Sequence, residues 1–378
     1  MVVSNMHMKH HILTAAAAAI ILTACATQPQ EPENYAYLKL SEAVADGSYL
    51  YAMQDGLCYG QAWHLTDEEL EADQVDKSDI RGVCGDFPAI AGFDLGEIEL
   101  GGDRNLDGVV FSYMRKAALA HAGRGGIVTF SWHPRNPLTG GTAWDVTSDK
   151  VVESILPGGE KHDIYMQWLA IAADFLDSLR DADGNLIPII WRPYHENTGS
   201  WFWWGKDLCS PEQYKALWAM MYDYLVGERG LDTMLWAYSP SSTNLLENAM
   251  ERYPGDDIID IIGVDRYAKA KEAELGEEFI LGMRSDLEYL SGVASKHGIL
   301  LAVTETGQEG QTFAEWWTKE LQPALEGFPV CYFLTWRNAW DEDHPDHWFS
   351  AYPGAATAAD FVAFHDAEST IFLSDLNR

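Results

Sequence analysis

"DIYMQWLAIAADFLDSLRDADGNLIPIIWRPYHE" runs from Asp163 to Glu196. Its first half carries apolar residues at helical spacing. "DADGNL" (Asp181 to Leu186) supplies a turn, because Asp-Gly-Asn is a common turn sequence. "IPIIWRPYHE" (Ile187 to Glu196) follows as an apolar run that becomes polar only at its end. A near-continuous apolar run is what a parallel strand covered on both faces requires. Helix, turn and buried strand are therefore the unit to seek in the rest of the chain.

The unit recurs. Strand-like runs are "SYLYAM" (Ser48 to Met53), "AIAGFD" (Ala89 to Asp94), "GIVTFSWH" (Gly126 to His133) and the run ending at Glu196. They continue with "TMLWAYSP" (Thr233 to Pro240), "IDIIGVDRY" (Ile259 to Tyr267), "ILLAVTETG" (Ile299 to Gly307) and "VCYFLTWRN" (Val330 to Asn338). Amphipathic stretches lie between them, such as "VVFSYMRKAALAHAG" (Val109 to Gly123) and "TFAEWWTKELQPALEG" (Thr312 to Gly327). "SPEQYKALWAMMYDYLVGERG" (Ser210 to Gly230) opens on a capping signal and closes on glycine. This alternation predicts an α/β protein, a single (β/α)8 TIM barrel. A doubly wound open sheet is the runner-up; no glycine-rich phosphate loop follows the first strand to support it. The stretch from Cys58 to Pro88 is acidic and loop-rich, with no clear element.

Hydrophobic residues make up 47% of 378, enough for a large core. The formal charge of −33 speaks against a nucleic-acid partner, which needs a basic surface. At the N-terminus, Lys9 to His11 precede "ILTAAAAAIILTAC" (Ile12 to Cys25), a run too short to span a membrane. It suits a signal peptide, and "LTAC" (Leu22 to Cys25) resembles the lipobox of bacterial lipoproteins, which implies lipidation at Cys25. "ATQPQEPEN" (Ala26 to Asn34) is a polar tether. The expected organisation is a signal peptide over 1–24, a tether over 25–34 and a catalytic barrel over 35–378. The protein is then exported and lipid-anchored to a bacterial membrane, periplasmic or at the cell surface.

Four further cysteines are Cys58, Cys84, Cys209 and Cys331. No C-x-x-C pair exists, which removes the zinc-ribbon pattern. Cys58 and Cys84 fall in loop-like sequence and are the preferred pair if there is one; Cys331 is expected as a buried thiol.

Polar residues gather at the C-terminal tips of the strands, where barrels build their active sites. Glu196 ends the fourth strand and Glu305 the seventh. Two carboxylates facing each other across a barrel mouth can break a glycosidic bond. One donates a proton to the leaving oxygen; the other attacks the anomeric carbon or activates water. Glu196 stands among aromatic residues, whose low polarity favours the acid, although Arg192 opposes this. Thr304, Thr306 and Tyr267 are expected to hydrogen-bond Glu305 and keep it charged. Indole rings stack on the apolar face of a pyranose, so Trp201, Trp203, Trp204 and Trp336 are platform candidates, with Trp203 and Trp204 equally readable as core.

The same residues carry a resemblance. "WRPYHENTGSWFWWG" (Trp191 to Gly205) resembles the acid/base motif of glycoside hydrolase family 26, chiefly β-mannanases. "VTETG" resembles that family's nucleophile segment and "YFLTWRNA" its last strand; "FSWHP" and "VDRY" match in order. The resemblance implies a retaining glycoside hydrolase cleaving β-1,4-mannosidic bonds in mannan, galactomannan or glucomannan. It makes Glu196 the acid/base and Glu305 the nucleophile. His195, Trp201, Tyr267 and Trp336 carry over to the subsite of the attacked mannose; His133, Arg337 and Asn338 carry over at or near that subsite and the next. Histidine before the acid/base suits the axial 2-hydroxyl of mannose. Relatives that act on mixed-linkage glucan or β-1,3-xylan keep those substrates as alternatives. A non-catalytic glycan-binding lipoprotein is the alternative of another class, though binding alone needs no opposed carboxylates.

No cofactor is called for. "DEDHPDH" (Asp341 to His347) offers metal-ligand residue types without ordered spacing and is expected as a solvated loop. "DADGNL" lacks the closing glutamate of a calcium loop, and His195-Glu196 is not followed by the second histidine of a zinc helix.

Overall fold

Each of the eight apolar runs is a strand in the computed structural model, which describes residues 34–72, 74–268, 276–341 and 343–377. The readings of the signal peptide, of Cys25 and of the tether before Asn34 lie outside the described residues, as does Glu342 of "DEDHPDH". The strands are β1 (Tyr49–Gln54), β2 (Ile90–Asp94), β3 (Ile127–Trp132), β4 (Ile189–Pro193), β5 (Leu235–Tyr238), β6 (Ile261–Asp265), β7 (Leu300–Thr306) and β8 (Val330–Thr335). Each pairs in parallel with the next, and β8 pairs back with β1 at Leu50↔Tyr332 and Tyr51↔Phe333, closing the barrel. Of the residues in these eight strands only Leu300 is not buried. That is the physical reason the runs lack alternation: both faces are covered.

Helices pack outside through aromatic contacts. Phe175, from the helix His162–Asp177, meets Phe130 of β3 edge-on at 5.9 Å. The helix Pro211–Tyr222 starts at a complete capping box, in which Ser210 and Gln213 satisfy each other's backbone N–H. In "DADGNL", Asp181 accepts from the N–H groups of Asp183 and Asn185, an Asx turn.

The unassigned stretch after β1 is a small cap. It holds a two-stranded hairpin, Tyr59–Gly60 against Trp63–His64, and the helices Asp67–Glu71 and Asp79–Cys84. Asp79 ties it together, accepting from Gln61 N at 2.8 Å, Trp63 Nε1 at 2.9 Å and Asn338 Nδ2 at 2.9 Å. Cys58 and Cys84, the preferred pair if there is one, are not bonded: all four described cysteines are thiols. Cys84 ends a helix and its Sγ donates to Ile80 O at 3.3 Å, while Cys58 is buried. Cys331 is a buried thiol in β8.

One irregularity bears on the site. Between β6 and β7 the register runs Val264↔Val303 and then Asp265↔Glu305, so Thr304 is an extra residue. Such a bulge breaks the strict in-out alternation and re-aims a side chain. Gly263 makes room for it: a Cβ there would stand 2.5 Å from Thr304 Oγ1 and Cγ2. Gly263→Ala is expected to destabilise the fold by about 1–3 kcal/mol through overpacking. A variant with an unchanged thermal unfolding midpoint would rule out this tight contact.

Candidate active site

Glu196 does not end β4, which stops at Pro193; it stands in the turn beyond. Tyr194 (φ 49°) and Glu196 (φ 54°) both adopt left-handed backbone. For residues with side chains this costs roughly 1–3 kcal/mol each and persists only where surroundings hold it. They do hold it. Tyr214 Oη donates to Tyr194 O at 2.8 Å, and Glu196 N donates to Ser239 O at 2.6 Å. Trp204 Nε1 donates to His195 O at 2.8 Å and Trp203 Nε1 to Pro134 O at 3.0 Å. Trp203 and Trp204 are fully buried, so these two indoles are core that clamps the turn, not platforms. Trp201 remains partly open and donates from Nε1 to Glu196 Oε2 at 2.6 Å.

Glu305 lies inside β7, re-aimed by the bulge. Arg192 Nη2 donates to its Oε1 at 2.5 Å and Tyr267 Oη to its Oε2 at 2.6 Å. Tyr267 thus does what the sequence suggests; the threonines do not. Thr304 Oγ1 donates to Asp265 Oδ1 at 2.7 Å, and Thr306 Oγ1 is buried without a partner. Arg192 also behaves differently from its sequence neighbourhood. It points into the barrel, reaching Asp265 Oδ2 at 3.3 Å as well as Glu305. Asp265 therefore joins the site, although the sequence marks it only as one of several polar residues at a strand tip.

An oxygen from each of Glu196, Asp265 and Glu305 lies within 4.8 Å of the others. Burial pushes Glu196 well above the ordinary carboxylate range, and the charges of Asp265 and Glu305 push it further; Trp201 and Arg192 pull the other way. Burial, then Glu305, carries Asp265 up to about 8 against the pull of Arg192, Thr304 and Ser239. Three carboxylates together could ligate a cation. Here Arg192 holds an oxygen each of Asp265 and Glu305, Tyr267 the other oxygen of Glu305, and Trp201 one oxygen of Glu196, so the acids gather around one fixed guanidinium.

Above the acids is a cavity of about 240 Å³. His133, His195, Trp201, Tyr267 and Trp336 line it together with Glu196 and Glu305, so the structure brings these predicted residues to one place. Trp144, Phe202, His347 and Phe349 also line it and were not singled out by sequence. They come from loops, whose closeness no periodicity reveals. His133 Nδ1 sits 2.7 Å from Asp94 Oδ2. Burial works against a charge on His133, yet Asp94 carries it above its ordinary value. Burial, with Arg192 and His133 nearby, holds His195 well below its ordinary value, and its Nδ1 has no protein partner. Arg337 and Asn338 do not line this cavity. Arg337 pairs with Asp107 at 3.1 Å. Asn338 is spent on scaffold: Nδ2 donates to Asp79, and Oδ1 accepts from Phe349 N and Ser350 N.

Removing the shared cation is expected to be costly. Arg192→Leu leaves Asp265 and Glu305 buried without it and should lose about 3–5 kcal/mol. Arg192→Lys keeps the charge but not the fork, so it should lose less stability while displacing Glu305. Thermal unfolding of the two variants checks this; an Arg192→Leu protein as stable as the parent would refute it.

The sequence profile of glycosyl hydrolase family 26 matches residues 49–316. A mannan endo-1,4-β-mannosidase of Bifidobacterium adolescentis is 33% identical over 342 residues, covering 85% of this chain but 33% of the relative. The chain thus spans about a third of that protein's length. A mannan endo-1,4-β-mannosidase of Bacillus subtilis is 27% identical, covering 75% of this chain and 74% of the relative. Among solved structures, a GH26 β-mannanase from Bacteroides ovatus superposes with a TM-score of 0.82 at 41% identity, covering 92% of this chain and 98% of that one. With the profile matched over most of the barrel and these acids at its mouth, the chain belongs to glycosyl hydrolase family 26.

Proposed function

We propose that the chain is a retaining β-mannanase, hydrolysing β-1,4-mannosidic bonds in mannan, galactomannan or glucomannan. The observation that carries the mechanism is the approach of Glu196 and Glu305 oxygens to within 4.8 Å. Double displacement uses carboxyl groups about 5–5.5 Å apart, whereas inversion leaves room for water at roughly 6.5–9.5 Å. Glu196, raised by burial, protonates the leaving oxygen. Glu305, steadied on both oxygens by Arg192 and Tyr267, attacks the anomeric carbon and forms a glycosyl-enzyme. The charge of Glu305 is one reason Glu196 stays protonated. The covalent bond removes that charge, so the pKa of Glu196 falls and it can take a proton from the incoming water. One carboxyl thereby serves both halves of the reaction.

Mannan as substrate is supported by the names of the relatives in Bifidobacterium adolescentis and Bacillus subtilis. The cavity is compatible: Trp201 and Trp336 offer aromatic faces, and His195 has a ring nitrogen left for a hydroxyl. The proposal includes export and a lipid anchor on Cys25, supported by the sequence "LTAC" and the tether behind it.

Sugar release on mannan, mixed-linkage glucan and xylan tests the reading. Release from mannan that Glu305→Gln abolishes is expected; release confined to glucan or xylan would move the substrate, and binding without release would leave a glycan-binding protein. A second test uses pH. Trp201 donates to Glu196 and favours its charged form, so losing that bond raises the pKa. Trp201→Phe should therefore shift the alkaline limb of kcat/KM to higher pH. A limb that stays put or moves down would remove Trp201 from this role.

A further inference from the structure

We propose that a second carbohydrate-binding site lies on the loops after β1, β2 and β8, with Trp340 as its platform. It takes further hexopyranosyl units of the polymer whose bond is cleaved at Glu196 and Glu305, and so rests on the polysaccharide reading above.

Trp340 is 41% exposed although one face is stacked on His64, with centroids 4.4 Å apart and planes 30° off parallel. Its indole N–H has no protein partner among the described residues. An indole backed on one side and open on the other is what a pyranose face needs. The catalytic cavity has the same pairing: Trp144, 46% exposed, stacks on His133 at 5.1 Å and 11°. Trp340 lines a cavity of about 440 Å³ with Tyr59, His64, Thr66, Arg104 and Tyr113. That is within the range of small-ligand clefts, about 300–1,000 Å³. Arg104 is exposed and supplies a guanidinium at its rim, while Tyr59, His64, Tyr113 and Trp340 bring rings to a wall otherwise made largely of aliphatic and small residues. Aromatic faces with donors at the edge match the apolar face and hydroxyl rim of a sugar.

Placement ties this cavity to the polymer's path. Another cavity, of about 410 Å³, adjoins Glu196 and Trp201 and is walled by Ser241, Thr243 and Arg266, beyond the tips of β5 and β6. The Trp340 cavity lies beyond β1, β2 and β8, on the opposite side of the barrel mouth. The two carboxylates stand between. Arg337 makes the join: it follows Trp336 of the catalytic cavity and reaches Tyr59 Oη at 3.3 Å, in the wall of the distal one. A chain extended across the mouth passes from one cavity to the other.

The test is binding against chain length. Glu305→Gln protein is titrated calorimetrically with manno-oligosaccharides from two to six units, with and without Trp340→Ala, Trp340→Phe and Arg104→Ala. Trp340→Ala should weaken the longer ligands about two- to tenfold, the worth of one aromatic face, with a loss that grows with length. Trp340→Phe should restore part of it. Arg104→Ala, at an exposed residue, should show the same length dependence and keeps the test valid if Trp340→Ala fails to fold. No loss, or a loss equal at every length, overturns the site. If the parent binds no manno-oligosaccharide, the mannan reading fails instead. The same titration with cello- and xylo-oligosaccharides then decides the site: length-dependent loss with either supports it, and its absence with both overturns it.

Discussion

The guanidinium of Arg192 sits between Asp265 and Glu305 inside the barrel mouth, and the rest of the site is arranged around that fixed charge. Three carboxylates crowd one buried arginine. Like charges in a low-dielectric pocket cannot all be ionised together, and a guanidinium does not give up its proton. Protons must therefore be retained by some of the acids, and contacts decide which. Glu305 has the arginine and the tyrosine. Asp265 has only the longer of the two arginine contacts, with two hydroxyls. Glu196 has, among the described residues, the indole of Trp201, and it is driven upward by burial and by the other two. In the proposed reaction, the division of labour between Glu196 as acid and Glu305 as nucleophile follows from this unequal access to one cation.

A regular barrel would not aim these groups. Side chains on a strand alternate, and a carboxylate at a tip points wherever the period leaves it. Glu196 and Glu305 each depart from regularity in their own way. The chain turns through two left-handed residues to bring Glu196 back over the mouth, and it inserts Thr304 to swing Glu305 inward. Buried neighbours stabilise both departures. Trp203, Trp204 and Tyr214 grip the turn; Gly263 vacates the space that Thr304 fills. The aromatic density around Glu196 thus has two origins. Some rings face the cavity, but the most deeply buried indoles carry the strain of the turn.

These two origins also mark what the sequence could and could not reveal. The eight apolar runs became eight strands because burial on both faces leaves a direct trace in composition. That Glu196 and Glu305 fall near the C-terminal ends of apolar runs was visible for the same reason, although β4 stops at Pro193 and Glu305 lies inside β7. Which rings face the cavity was not, since Trp201 and Trp203 are two residues apart and differ only in how the turn folds. Arg192 was legible as a charge opposing the protonation of Glu196, which it is, but its direct contacts with Asp265 and Glu305 follow from its place on β4 and were not. Thr304 and Thr306 looked like braces of Glu305, but a one-residue bulge is invisible to pattern and sent Thr304 to Asp265. Trp144 and His347 come from loops, where contacts depend on path and not period.

The two histidines of the cavity show how such loop and strand residues divide a further task. His133 and His195 stand edge to face, with centroids 4.5 Å apart. Asp94 faces Nδ1 of His133 and is itself held by Ser131 Oγ and Gly96 N, so that carboxylate is fixed as an acceptor. His133 must then carry its proton on Nδ1 toward Asp94. His195 is held neutral by burial and by the positive neighbours Arg192 and His133. A neutral imidazole keeps one nitrogen as an acceptor, whereas a histidine backed by a carboxylate is readier to become a donor on both. Sugar hydroxyls donate and accept at once, so adjacent rings with opposite leanings can satisfy both halves of one hydroxyl. The leaning of each ring is set by its surroundings, by Asp94 for His133 and by burial, with Arg192 adding to it, for His195. Arg192, which bears on Glu196 and Glu305, therefore also bears on His195 in the cavity wall proposed to receive the sugar.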